Sequence, residues 1–238
     1  MPSYPTDPAW ATPIVVSLEF QTTIATGKNG TEQRWALHPG KQSWVLPYGM
    51  LTLAQRDTLL SFFETCKGAY DQTISLTING ATFTGCYLDG DAMSFTESKP
   101  TQFEGSVTIR QVSRTRDVGS VPTDFPALST GAKLQLPYTH SKTFNTVSVK
   151  TEGSRFAYPN RSTTLRTWTV GGSVLTDAEA QAIWDCFRYA RGRWATFGFT
   201  DPDSATRYAN CRFGADKLDW HILGAGVNSL QTTIQELL

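Results

Sequence analysis

Neither sign of charge is in excess in this 238-residue chain: 21 lysines and arginines stand against 21 aspartates and glutamates. That balance removes the electrostatic basis for a dedicated nucleic-acid binder, whose affinity comes from neutralised phosphates. The local basic group Arg188, Arg191 and Arg193 reads instead as the end of a helix, where cations offset the carbonyl pole of the dipole. The opening MPSYPTDPAWATP has neither a basic start nor an apolar stretch. No secretory signal, spanning segment or membrane insertion is therefore expected, and the chain is expected to be made and folded in a cytoplasm.

Cysteine and histidine are scarce. Cys66, Cys86, Cys186 and Cys211 contain no C-x-x-C spacing, which argues against a zinc site of the common kind. All four are expected to be reduced and buried, because a free thiol packs as a small hydrophobe and Cys66 continues the apolar face of a predicted helix. The three histidines, His38, His140 and His221, fall in unrelated contexts. No G-x-S-x-G elbow, H-E-x-x-H helix or phosphate-binding loop occurs, so the common nucleophile, zinc and phosphate chemistries lack their motifs. Asp89-Gly90-Asp91 and Asp201-Pro202-Asp203 begin like calcium loops but lack the distal glutamate, and read as turns. Asn29-Gly30-Thr31 and Asn160-Arg161-Ser162 match a glycosylation sequon, without meaning in a chain that lacks a secretory signal. The expectation is a protein that is not an enzyme, with no catalytic, cofactor-binding or metal-binding residue.

What the chain does contain is a copy of itself. Trp44, Leu51-Thr52, Ala54, Phe63 and Gly68 return 124 residues later as Trp168, Leu175-Thr176, Ala178, Phe187 and Gly192. Phe83, Cys86, Phe95 and Ile109 then match Tyr208, Cys211, Trp220 and Ile234 at a spacing of 125, a slip that one loop insertion explains. A hydrophobic content of 39%, with 12% aromatic, is enough for packed cores. The repeat divides the chain into an N-terminal extension at 1–12, a first module at 13–112, a turn-rich linker at 113–133 and a second module at 134–238. Residues 13–112 and 134–238 are expected to superimpose as one fold.

The order of elements reads alike in both copies. Val16, Leu18, Phe20, Thr22 and Ile24 alternate with polar residues as in a half-buried strand, and Phe144, Val147 and Val149 give a fainter version. A strand around Trp44 or Trp168 follows, then a helix opened by a capping box, Thr52-x-x-Gln55 or Thr176-x-x-Glu179. Leu59, Leu60, Phe63 and Cys66 share one helical face, and Ile183, Trp184, Phe187 and Ala190 repeat it. Gly68 and Gly192 supply the left-handed residue that ends each helix. Strands from Tyr70 to Ile78 and from Trp194 to Thr200 turn back through Asn79-Gly80 and through the longer Asp201–Ser204 loop. A last strand closes each copy, with Phe103, Val107 and Ile109 or Leu230, Thr232 and Ile234. The fold class is mainly β with one helix per module.

The run Gly153-Ser154-Arg155-Phe156, Leu165–Val170, Leu175–Glu179, Arg191-Gly192-Arg193-Trp194 and Tyr208–Cys211 resembles the M-type minor tail proteins of lambda-like long-tailed phages. The second copy matches over most of its length. The first is a weaker match: Glu32–Trp35 and Lys67–Tyr70 hold the corresponding places, but the glycine before the arginine is shifted to Gly30. The whole chain is similar to two such modules in tandem, close to the distal-tail proteins of phages and gene transfer agents. The resemblance implies two tail-tube-like β-sandwich or barrel modules, each with a flanking helix, in a structural virion protein of the tail tip. It further implies a ring of three or six copies joining the tail tube protein to the tip hub protein and tape measure protein, with DNA passing through only as cargo. Such a protein is made in the host cytoplasm and ends in the virion tail.

Three other readings remain open. A β-sandwich glycan-binding module of an adsorption apparatus needs aromatics clustered on one exposed face, whereas Trp44, Trp168 and Trp184 fall at expected core positions. A tail-associated hydrolase needs a carboxylate pair, or a nucleophile and base, converging in a pocket. An iron–sulfur variant needs four thiolates at one place, which the spacing of the cysteines opposes.

Overall fold

A computed structural model describes residues 2–26, 32–68, 73–112, 119–128, 139–143, 146–151, 154–159 and 165–237. Tyr70, Phe144, Gly153 and both sequons' asparagines lie outside the described residues, as do 113–118 and 129–133 of the expected linker. Among the described residues the chain is mainly β, with two helices. The first half runs β1 (Ile14–Thr26), β2 (Glu32–Leu51), α1 (Leu53–Thr65), β3 (Ile74–Ile78), β4 (Ala81–Leu88), β5 (Phe95–Lys99) and β6 (Gln102–Val112). The second runs β7 (Thr139–Thr143), β8 (Thr146–Thr151), β9 (Ser154–Pro159), β10 (Leu165–Leu175), α2 (Asp177–Ala190), β11 (Phe197–Thr200), β12 (Arg207–Phe213), β13 (Lys217–Gly224) and β14 (Val227–Glu236). Among the described residues, 12 strands share one sheet, and β8 and β9 form a separate hairpin.

β6 and β14 organise the sheet. β6 runs along β2 on one edge and divides the other between β5 near Phe103 and β4 near Ile109. β14 lies between β10 on one side and β13 and β12 on the other. A strand whose edge is shared in this way forks the sheet.

The ladders repeat in register. Trp44 faces Ile109, and Trp168 faces Ile234. A shift interrupts one ladder between Tyr48 and Leu51 and the other between Gly172 and Leu175, at positions 124 residues apart. Cys86, Tyr87 and Leu88 face Gln111, Arg110 and Ile109, while Cys211, Arg212 and Phe213 face Glu236, Gln235 and Ile234. Phe95 faces Gly105 and Trp220 faces Leu230. Val16 faces Trp44 and His140 faces Trp168, which makes β7 the register counterpart of β1.

Both capping boxes form. Thr52 Oγ1 accepts from the Gln55 N–H at 3.3 Å and Thr176 Oγ1 from the Glu179 N–H at 3.3 Å, with the reciprocal bonds at 3.0 and 3.1 Å. At the far ends Gly68 and Gly192 have φ of 62° and 61°, and their N–H groups donate to Phe63 O and Phe187 O at 3.1 Å. Lys67 and Arg191 are left-handed as well, so each helix unwinds through two such residues rather than glycine alone. One strand start is corrected. Trp194 stands in the turn after α2, its N–H on Arg191 O, and β11 begins only at Phe197 because that turn must finish first. The Asn79-Gly80 hairpin has positive φ at both central residues, 49° and 81°, as a tight β-hairpin turn requires.

Segments without alternating pattern cover two sheet edges. Ser3 bridges Ser75 on β3 and Asp124 bridges Gly198 on β11, both parallel. Tyr4 and Phe125 each donate their N–H to those strands, at 2.8 and 2.7 Å. Part of the expected extension at 1–12 and part of the expected linker at 113–133 thus serve as short edge strands, which protect ladders that would otherwise end open.

Trp44 and Trp168 sit at the centre of the two halves, 1% and 0% exposed, against Phe83 and Tyr208 at ring distances of 4.8 and 5.0 Å. Replacing either by alanine is expected to cost about 3–5 kcal/mol. Denaturant unfolding of Trp168→Ala and Trp44→Ala checks this, and a loss under 1 kcal/mol at either position contradicts the assigned core.

Candidate functional site at the junction of the halves

Among the described residues, the chemistry-bearing residues singled out in the sequence lie on separate elements. His38, His140 and His221 lie on β2, β7 and β13, paired in three different ladders. Asp201 is buried and closes its own turn, accepting from the Asp203 N–H and the Ser204 hydroxyl, each at 3.0 Å. Asp89 is paired with Arg110 at 2.9 Å on the surface. Among the described residues no group of three or more histidines, cysteines, aspartates or glutamates is placed to hold a metal ion. A depression of about 210 Å³ beside Phe125, Leu128 and Phe199 is lined mostly by apolar groups, with Asp201 its one ionisable side chain.

All four cysteines are buried free thiols. Cys86 and Cys211 occupy the same ladder position in the two halves, and their Sγ atoms donate to Phe83 O at 3.6 Å and Tyr208 O at 3.7 Å. Burial pushes Cys86 up to about 11 and Cys186 and Cys211 up to about 12, and raises Cys66 as well.

A polar cluster joins the halves. β1 pairs with β13 from Ile14↔Ile222 to Glu19↔Lys217, so the first strand of one half extends the sheet of the other. Ser17 Oγ donates to Asp219 Oδ1 at 2.6 Å. Beyond the ladder, Asp216 takes over. Its carbonyl accepts from the Phe20 N–H at 2.7 Å, its Oδ2 from the Thr22 N–H at 3.0 Å and its Oδ1 from the Arg193 N–H at 2.9 Å. Gly192 makes room for this. A Cβ there would stand 2.8 Å from Asp216 Oδ1, in addition to the strain of a positive φ. Phe20 then lies on Phe187 of α2 with ring centroids 5.8 Å apart.

Beside it, Glu32 bridges two arginines, Arg34 at 2.9 Å and Arg212 at 2.7 Å, and Arg34 also donates to Trp194 O at 3.1 Å. Arg212 is 7% exposed. Burial pushes its guanidinium below the usual arginine value; Arg34 and Arg193 push the same way and Glu32 opposes them. The cluster is a fastening device, because a buried cation is tolerated only with its partner in place. Sequence reading missed Glu32, Arg34, Arg212 and Asp216 as a group. One signal was available: Asp216 repeats Asp91 at the spacing of 125.

Three outcomes are expected. Glu32→Gln leaves Arg212 without its carboxylate and should cost roughly 1.5–3 kcal/mol, whereas Asp57→Asn, which removes the exposed carboxylate of the partly exposed Arg56–Asp57 pair, should cost under about 1 kcal/mol; chemical denaturation compares them. The raised thiols stay neutral in the folded state while the unfolded chain ionises from near pH 9. Stability is therefore complete below pH 9 and falls as pH rises through about 11–12. A disulfide-exchange reagent at pH 8 should label none of the four in the native protein and all four after denaturation, and rapid native labelling would contradict the burial.

No protein-family model matches this chain, and no curated protein matches it.

Proposed function

We propose that the chain is a structural protein of a phage or phage-like tail, made of two tandem tail-tube-like modules and assembling as a ring at the tail tip. The observation that carries the reading is the repeat of strand register, in which Trp44↔Ile109 and Trp168↔Ile234 sit in ladders shifted at matching points. A copied scaffold serves pseudo-symmetric assembly, whereas a catalytic pocket gains little from being copied. Three copies would offer six modules to a six-fold neighbour, and six copies would line a channel with one module each. The resemblance to M-type minor tail proteins supplies the place in the particle: between the tail tube protein and the tip hub and tape measure proteins, around a channel that passes DNA as cargo. Balanced charge fits a wall that DNA slides past rather than binds.

The interior supports a scaffold over the glycan-binding alternative. Trp44, Trp168 and Trp184 are 1%, 0% and 4% exposed, which withdraws them from any stacking platform for sugars. Labelled antibody against the chain, applied to particles from the organism that encodes it, is expected to mark the tail axis at its tip in electron micrographs. Label on side fibres, on the head or on no particle at all refutes the tail-tip role.

A further inference from the structure

We propose that the β5 edge and the socket beside Asp91 receive the β7 strand of a second copy of this chain, head to tail, as β13 and Asp216 receive β1 within one chain. The proposal rests on the two-module reading above, and it adds the residues that join one copy to the next.

Within the chain the socket is filled. Phe187, Gly192, Asp216 and Trp220 form it, and β1 supplies Val16, Phe20 and Thr22: Val16 opposite Trp220, the Phe20 ring on Phe187, and the Phe20 and Thr22 N–H groups on Asp216. Their counterparts in the first half are Phe63, Gly68, Asp91 and Phe95. The walls stand in corresponding places. Asp91 packs against Gly68, its Cα and Oδ1 each 3.5 Å from where a Cβ would lie, as Asp216 packs against Gly192. Phe95 pairs with β6 at Gly105 as Trp220 pairs with β14 at Leu230.

The first-half socket differs in having no cover among the described residues. α2 buries Ile183, Trp184, Phe187 and Ala190, while α1 buries Leu59 and leaves Leu60 and Phe63 partly exposed. Asp91 is exposed, and Leu53 is 50% exposed. Among the described residues β5 pairs only with β6, and Thr96–Lys99 is exposed along it. The missing occupant is present in the same chain. β7 is the register counterpart of β1, it pairs only with β10 among the described residues, and Ser141 on it is exposed. In sequence, Phe144 follows β7 at the place that Phe20 holds in β1. Among the described residues, each copy thus carries one open socket and one strand with an unmatched edge. That is the geometry of a heterologous contact, which propagates until a ring closes. A fibre or glycan partner would answer the socket but leave the strand unexplained.

The intrachain ladder sets the expected register. Ser17 lies opposite Asp219, so Ser141 of one copy should lie opposite Ser94 of the next. Opposed Cα atoms in an antiparallel pair are ~4.5–5.5 Å apart, within reach of a disulfide. A Ser94→Cys variant mixed with a Ser141→Cys variant and oxidised is expected to give a covalent heterodimer, and the off-register pair Ser98→Cys with Ser141→Cys is not. The native thiols are buried and do not compete. Sedimentation of the otherwise unaltered chain should show concentration-dependent self-association, weakened at least about tenfold by Asp91→Ala, which removes an acceptor of charge-assisted bonds. Circular dichroism verifies that the variant is folded. Equal cross-linking on and off register, self-cross-linking of the Ser141→Cys variant alone, or a monomer at the highest soluble concentration overturns the proposal. Those results leave the tail-tip location to the labelling experiment, and a cross-linked chain that labels no tail would sink the location while keeping the junction.

Discussion

An antiparallel strand must find a partner for both rows of its backbone polar groups, and β1 is where this chain meets that demand across its two halves. One edge of β1 lies on β2 and the other on β13. Neither half completes this stretch alone. Where the ladder stops, Asp216 continues it with a carbonyl and a carboxylate, so the chain past Leu18 still has acceptors for its N–H groups. The aspartate needs Gly192 beside it, and Gly192 in turn ends α2. Helix end, strand pairing and the union of the halves therefore depend on a single small cluster.

The cover that β1 provides explains why two helices of the same pattern are buried so differently. A fully buried aliphatic or aromatic side chain is worth about 1.5–3 kcal/mol relative to an exposed one. α2 collects that benefit at four face positions, with Phe20 lying over Phe187. α1 holds the same pattern but buries Leu59 most fully, and Tyr4 meets Phe62 edge-on at 5.3 Å instead. The asymmetry arises because β1, paired with β13, brings Phe20 over α2.

Much of the local structure was legible in the residues. The capping boxes at Thr52 and Thr176 needed only a four-residue pattern, and the geometry follows it bond for bond. The Asn79-Gly80 turn and the alternation of β1 were equally local signals. The edge strands at Ser3 and Asp124 were not legible, because they are short, proline-flanked and defined by the strands they cover. The start of β11 was misplaced for a related reason: Trp194 suits a strand by propensity, but the left-handed exit from α2 holds it in a turn.

The sequence by itself determined the repeat, the two capped helices and the central core positions at Trp44 and Trp168, since periodicity and spacing are properties of neighbouring residues and of a copied order. Only the tertiary structure decided that β1 crosses to β13, that Asp216 accepts from three backbone groups, and that Glu32 neutralises Arg212. Apart from the Arg193–Asp216 bond, those contacts join residues 180 to 208 positions apart. No local pattern encodes which strand edge meets which. That choice follows from the global requirement that edges be paired and that a buried cation keep its counter-charge.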